Sequence, residues 1–263
     1  MANGIQLVAT DLDGTLLRSD GTVGERTRAA LARAEDRGLT VVFVTARPAR
    51  WIDSFRRLVG GHGIVICANG AIVRDVARGE DLEVSPLPQG VASDVAAAIR
   101  TAAPGVHFAR ESTTGFAREP GYRARDPIPP ESPIGPIEAL LDPTTVKLLV
   151  RHDAIPAVEL RRRVDDAVGG RMTTTASDTS GLIEISAATV TKASTLRRFC
   201  SKRGVRAEEV VAVGDMLNDL PMLAWAGTAA AVANAHPEVL AVADEILPSN
   251  DEEGVAALLE RLR

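Results

Sequence analysis

Asp11-Leu-Asp13-Gly-Thr15 sets two carboxylates two residues apart, directly after the short apolar run from Ile5 to Thr10. Such a run is the pattern of a buried strand that delivers polar groups at its C-terminal end. Two carboxylates brought to one site can divide the work according to their surroundings, one attacking an electrophile while the other handles a proton. A calcium loop of the EF-hand type is excluded, because its sixth and twelfth positions, Gly and Glu in that pattern, are Leu16 and Thr22 here. Taken alone, the pentapeptide also reads as a helix N-cap and turn.

Three further groups belong with it. The run Thr40 to Val44 ends in Thr45-Ala46-Arg47, which offers a hydroxyl and backbone amides at the mouth of a strand to a phosphate oxygen, or else a simple N-cap. Lys192 stands at the start of a helix, where its ammonium and the helix N-terminus would face the same anion; a solvated lysine is the alternative. Gly214-Asp215-Met-Leu-Asn218-Asp219 follows the strand Val210 to Val213 and adds two carboxylates and an amide, or a turn. Oxygen donors without sulfur or imidazole select a hard cation, Mg²⁺.

The elements that must position these groups alternate. Strand 5–10 is followed by a helix whose apolar positions Thr27, Ala30, Leu31 and Ala34 fall on one face and which Gly38 closes, then by strand 40–44, a helix opened by Pro48, and strand 64–67. From Thr191 the rhythm returns: helix 192–203, strand 210–213, helix 220–226, strand 228–232, helix 237–242 and a closing helix after Asp251. This predicts an α/β core, a Rossmann-like doubly wound parallel sheet, at 1–83 and 187–263. An inserted α+β unit occupies 84–186, with helices at 89–103 and 155–168 and short strands near 106–109, 146–150 and 182–185. Its segment 126–136 holds five prolines and reads as a loop. All four polar groups then end strands or open helices at one sheet edge, the crevice where open α/β sheets bind ligands.

Composition narrows the partners. With 45% hydrophobic residues the chain of 263 can build a packed fold, and a net charge of −5 with scattered acids argues against a nucleic-acid binder. Aromatics at 3% remove the stacking platforms of a single-strand binder. Cys67 and Cys200 sit in apolar runs as free thiols, and His62, His107, His152 and His236 lack zinc-site spacing. No apolar run reaches the roughly 18 residues of a membrane span, and the first residues lack a basic leader, so an intracellular, cytoplasmic protein is expected.

Asp11-Leu-Asp13-Gly-Thr15, Thr45, Lys192 and Gly214-Asp215-x-x-Asn218-Asp219, in that order, resemble the four motifs of the haloacid dehalogenase-like hydrolase superfamily. The insert between the second and third motifs, with Asn69-Gly70-Ala71 after the third strand, resembles the Cof-type branch with a type IIB cap; Val232-Ala-Asn234-Ala-His-Pro-Glu and Ser249-Asn250-Asp-Glu-Glu-Gly254-Val match it too. The resemblance implies Asp11 as nucleophile of an aspartyl phosphate and Asp13 as general acid, then base. It implies Thr45, Lys192 and Asn218 as holders of the phosphoryl group. Mg²⁺ would be held by Asp11, Asp215 and the Asp13 backbone carbonyl, with Asp219, Gly14, Ala46, Arg47, Asn69 and Gly70 in support. The branch more often has Thr-Gly-Arg where this chain has Thr45-Ala46-Arg47. Arg47 is left between substrate contact and ion pair, and Asn69 between leaving-group contact and turn.

The implied activity is a Mg²⁺-dependent phosphatase of a small phosphorylated metabolite, the cap reading the ester. A phosphotransferase of the same fold and a non-catalytic phosphate-ligand module are the alternatives. Neither the physiological ester nor the oligomeric state follows from the sequence. In the insert, Arg118, Arg123 and Arg125 flank Tyr122 and are candidates to meet a substrate, a solvated basic loop being the other reading.

Overall fold

The computed structural model describes residues 4–59, 63–124, 127–176 and 181–262. His62 and Arg125 lie outside them. Two compact units emerge, Met1–Glu83 with Lys192–Arg263, and Val84–Thr191. Residues 187–191, which the sequence assigns to the core, fall in the second unit, where Val190 N closes a turn onto Ala187 O.

The first unit begins with β1 (Leu7–Thr10), α1 (Glu25–Asp36), β2 (Thr40–Val44), α2 (Ile52–Leu58), β3 (Ile64–Cys67), β4 (Ile72–Asp75) and β5 (Glu80–Val84). The inserted unit follows with α3 (Gln89–Ala102), β6 (His107–Ser112), β7 (Gly115–Arg118), α4 (Ile137–Leu140), β8 (Thr145–Arg151), α5 (Ala157–Val168), β9 (Thr173–Thr175) and β10 (Ile183–Ser186). The chain returns with α6 (Lys192–Lys202), β11 (Val210–Gly214), α7 (Leu220–Leu223), β12 (Thr228–Val232), α8 (Pro237–Val242), β13 (Glu245–Leu247) and α9 (Gly254–Arg261).

The core sheet runs β13-β12-β11-β1-β2-β3-β4-β5. The six strands from β13 to β3 pair parallel, and β4 turns back antiparallel on β3. The expected parallel sheet therefore carries an antiparallel extension, because the short turn 68–71 after β3 leaves no room for the crossover that a parallel strand needs. Strands β1, β2, β11 and β12 are almost wholly buried Val, Leu, Ala and Phe, as strands covered on both faces must be. Chain order reverses between β1, which leads on to β2, and β11, which leads on to β12, so the switch point of the sheet lies between β1 and β11. Helix α1 buries Thr27, Ala30, Leu31 and Ala34, the face its spacing predicts, and Gly38 ends it at φ 77°, a left-handed conformation that suits glycine.

The inserted unit has its own antiparallel sheet, β7-β6-β8-β10-β9, with α3 packed on α5. Of the candidate arginines there, Arg123 is exposed and lies 3.9 Å from Asp153, and Arg118 Nη1 reaches the Glu119 carbonyl. Tyr122 itself is buried against Ala109, Phe116 and Leu149. No helix among the described residues is long and apolar enough to cross a membrane.

Candidate active site

Parallel pairing brings the acids together. Asp11 leaves β1 with its N–H still donating to the Val213 carbonyl at 2.9 Å, and Asp215 follows Gly214 at the same end of neighbouring β11. Lys192, the first residue of α6, is buried and sends Nζ to Asp11 Oδ1 at 2.5 Å and to Asp219 Oδ1 at 2.8 Å. Asp219 is completely buried; its second oxygen accepts the backbone N–H groups of Asp215, at 3.2 Å, and Met216, at 3.1 Å. Gly214 is required beneath it, since a Cβ there would come within 2.6 Å of the Asp219 side chain.

Carboxylate oxygens of Asp11, Asp215 and Asp219 lie within 4.8 Å of one another. Both oxygens of Asp219 are engaged, with Lys192 and with the Asp215 turn, whereas Asp11 and Asp215 each keep an oxygen that could face a cation. Asp215 is oriented by Thr15, whose hydroxyl donates to Oδ1 at 2.8 Å, while Oδ2 lies where a Cβ on Gly14 would stand, 2.5 Å away. Gly14 has φ 80°, so both its conformation and this approach need glycine.

Electrostatics fit a divalent ion. Burial pushes the Asp11 carboxyl well above the ordinary aspartate value; Lys192 pulls it down, and Asp219 and Asp215 push it further up. Burial likewise raises Asp215 to about 6, against the hydrogen bond from Thr15. Burial opposes the charge of Lys192, but Asp11 and Asp219 outweigh it and hold the ammonium above its ordinary value. Three buried carboxylates against one buried ammonium leave an excess of negative charge that a hard divalent cation would balance.

The second motif forms the adjacent wall. Thr45 is fully buried; its N–H donates to the Ile66 carbonyl at 2.8 Å, and its Oγ1 accepts the Arg47 N–H at 3.0 Å. Ala46 stands half-buried between them. The turn after β3 braces this loop from behind: Ala68 N donates to Arg47 O at 2.8 Å and Asn69 N to Thr45 O at 3.1 Å. Ala68, Asn69 and Gly70 all have positive φ, and the Gly70 carbonyl accepts the Thr195 hydroxyl of α6 at 2.8 Å. Asn69 is thus part of the turn, and is itself buried. Asn218 lies half-buried on the 217–219 turn beside Asp219.

Asp13 stands apart from the buried trio. Its carboxylate is held by Arg47, with Nη2 2.6 Å from Oδ1 and Nε 2.9 Å from Oδ2, so Arg47 makes an ion pair. Two residues to which the sequence assigns no role fix the loop that carries Asp13. Asn234 Nδ2 donates to the Gly14 carbonyl at 2.8 Å, and its Oδ1 accepts the Asn250 N–H at 2.9 Å; Asn250 Nδ2 in turn reaches the Leu17 carbonyl at 2.9 Å. Their place in the motif-like stretches 232–238 and 249–255 was the only signal.

Residues 8–259 match the family model described as haloacid dehalogenase-like hydrolase. The chain belongs to that family. Among its relatives, the phosphoglycolate phosphatase of Methanopyrus kandleri is 28% identical over 97% of this chain and 96% of its own length. The pyridoxal phosphate phosphatase of Escherichia coli is 27% identical over 97% of each. A solved haloacid dehalogenase-like hydrolase from Bacteroides thetaiotaomicron superposes with a TM-score of 0.80 at 25% identity, covering 98% of this chain and all of that one. This haloacid dehalogenase-like hydrolase is, like those two relatives, an enzyme of the phosphatase type.

Proposed function

We propose that the enzyme hydrolyses small phosphomonoesters through a phosphoryl group carried on Asp11, with Mg²⁺ as cofactor. The observation that carries this reading is the buried contact of Lys192 with both Asp11 and Asp219, beside Asp215, at the switch point of the sheet. Relatives that act on phosphoglycolate and pyridoxal phosphate support a small phosphorylated metabolite as substrate. Two buried cysteines, Cys67 and Cys200, suit the reducing cytoplasm.

In the proposed reaction an Asp11 oxygen attacks phosphorus, forming the aspartyl phosphate as the bond to the ester oxygen breaks. Asp13 gives its proton to that leaving oxygen. Asp13 then takes a proton from a water that attacks the same phosphorus, which releases inorganic phosphate and restores Asp11. Lys192, the Thr45 hydroxyl and Asn218 hold the phosphoryl oxygens and offset their charge. Asp11, Asp215 and the Asp13 backbone carbonyl would hold Mg²⁺, which when bound offsets charge on the nucleophile and the phosphoryl group. Asp219, Gly14, Asn69 and Gly70 keep these groups in place.

The test is a panel of phosphate metabolites and an aryl phosphate, assayed with Mg²⁺ and after chelation. Mg²⁺-dependent release of phosphate is expected, and no release from any ester would overturn the reading.

A further inference from the structure

The turn that follows β12 reaches two of the loops that build the site. Asn234 Nδ2 donates to the Gly14 carbonyl at 2.8 Å, and two residues further on the His236 N–H donates to the Asp215 carbonyl, also at 2.8 Å. One short segment thereby ties the loop that carries Asp13 to the loop that carries Asp215. The turn is itself closed by Ala235 N on the Val232 carbonyl at 2.9 Å. Asn234 is held at its other end too, where Oδ1 accepts the Asn250 N–H at 2.9 Å. A single orientation of the amide sets a donor on the carbonyl and an acceptor on the N–H, so the two partners lock the side chain between them.

Asp13 needs such a tie. More than half of its side chain is exposed, so packing does not confine it, and Gly14 beside it stands at φ 80°. Glycine has the widest backbone freedom of any residue, and that freedom passes to Asp13 unless the peptide is held from outside. Arg47 holds the Asp13 carboxylate by its charge. In the proposed reaction Asp13 is neutral as it meets the leaving oxygen, and a neutral acid loses the charge-assisted part of that contact. The bond from Asn234 ends on a backbone carbonyl and does not depend on the charge of Asp13. Asn250 adds a second hold on the same loop, with Nδ2 on the Leu17 carbonyl at 2.9 Å, while Leu17 N closes the loop onto the Leu12 carbonyl at 2.8 Å.

We infer that Asn234 is a positioning residue for proton transfer, which acts through the Gly14 carbonyl to keep Asp13 within reach of the leaving oxygen. A proton donor works only within about 2.6–3.2 Å of the atom it serves, and a displacement of about 1 Å costs roughly 100-fold. Loss of this one hydrogen bond is therefore felt where the reaction needs a proton and not where it does not. The inference rests on the phosphatase reading and adds to it a residue outside the four motifs.

The test pairs p-nitrophenyl phosphate with phenyl phosphate, esters of nearly the same shape. Nitrophenolate leaves without a proton and phenolate leaves poorly without one, so the ratio of their kcat/KM values reports how well the acid is placed. Because kcat/KM covers the steps up to departure of the leaving group, it is blind to the later attack of water. The Asn234 side chain is exposed, so Asn234→Ala should keep the wild-type Tm and Mg²⁺ affinity. It should lower kcat/KM on phenyl phosphate about tenfold or more and leave that on p-nitrophenyl phosphate within about twofold. Asn234→Asp keeps the acceptor for Asn250 but sets a carboxylate oxygen against the Gly14 carbonyl, and should show the same selective loss. Equal losses on both esters, weakened Mg²⁺ binding or an unchanged ratio would overturn the inference and leave the phosphatase reading standing. No release of phosphate by the wild type from these or any metabolite ester would overturn the phosphatase reading and this one with it.

Discussion

Lys192 and Asp219 form a buried pair, 2.8 Å from Nζ to Oδ1, in which the acid also accepts two backbone N–H groups of the Asp215 turn. The lysine is thereby aimed at Asp11 from a position that no solvent can relax. Removing one partner of a buried ion pair leaves an uncompensated charge, at a cost of about 3–5 kcal/mol. Lys192→Met should therefore lower the urea midpoint markedly and lower kcat/KM at least about 100-fold; Lys192→Arg, which keeps the charge but not the shape, should recover stability more than turnover. Unchanged turnover in Lys192→Met would remove the residue from the phosphoryl site.

Arg47 holds Asp13 on the surface of the site rather than in its interior, with the Asp13 side chain 56% exposed. Losing that grip should free the acid to wander without unfolding anything. Arg47→Ala is expected to lower kcat about tenfold, the scale of a misplaced acid/base group, with Tm and Mg²⁺ affinity unchanged. Titration by calorimetry alongside steady-state kinetics checks this, and a loss of Mg²⁺ affinity instead would contradict it.

Gly14→Ala should act on the metal and not on the core. Its Cβ would meet Asp215 Oδ2 at 2.5 Å and the residue would be forced into φ 80°. The expected result is Mg²⁺ affinity lowered tenfold or more with a native circular dichroism spectrum.

The sign of the pH dependence follows from Asp215, raised by burial from 3.8 to about 6. A carboxyl whose folded value is raised binds its proton more tightly in the folded state, so without metal the protein should lose stability as pH rises from about 4 through 6. Mg²⁺ competes with that proton. The gain in Tm on adding Mg²⁺ should therefore be small at pH 5 and larger at pH 7; a gain that does not change over this range would contradict burial of the ligand.

Much of this arrangement is legible in residue patterns where local rules act. Continuous apolar runs give β1, β2, β3, β11 and β12, and the 3.6-residue period gives the buried face of α1. The outer strands escape such reading. Glu80-Asp-Leu-Glu-Val84 is mostly exposed and charged, and Thr173–Thr175 is three half-buried threonines; both are strands only because a neighbour supplies hydrogen bonds. At the site, Asp11, Lys192, Asp215 and Asp219 lie together at neighbouring strand ends and the start of α6, while Asp13 stands apart and pairs with Arg47. An ion pair is one of the two readings the sequence leaves for Arg47, but its partner Asp13 and the braces from Asn234 to Gly14 and Asn250 to Leu17 are not legible there. These contacts join segments 34, 220 and 233 residues apart, and two of the three end on backbone carbonyls that carry no residue signature.

The most direct test of Asp11 as the phosphoryl carrier uses Asp13→Asn with p-nitrophenyl phosphate and Mg²⁺. Nitrophenolate leaves without a proton, so the first step survives, while the water that completes turnover has lost its base. Rapid mixing should give a burst close to one nitrophenolate per enzyme followed by slow turnover, and mass spectrometry after acid quench should find a phosphoryl group on the peptide containing Asp11. Turnover with no burst and no modified Asp11, or a phosphoryl group on another residue, would contradict the account.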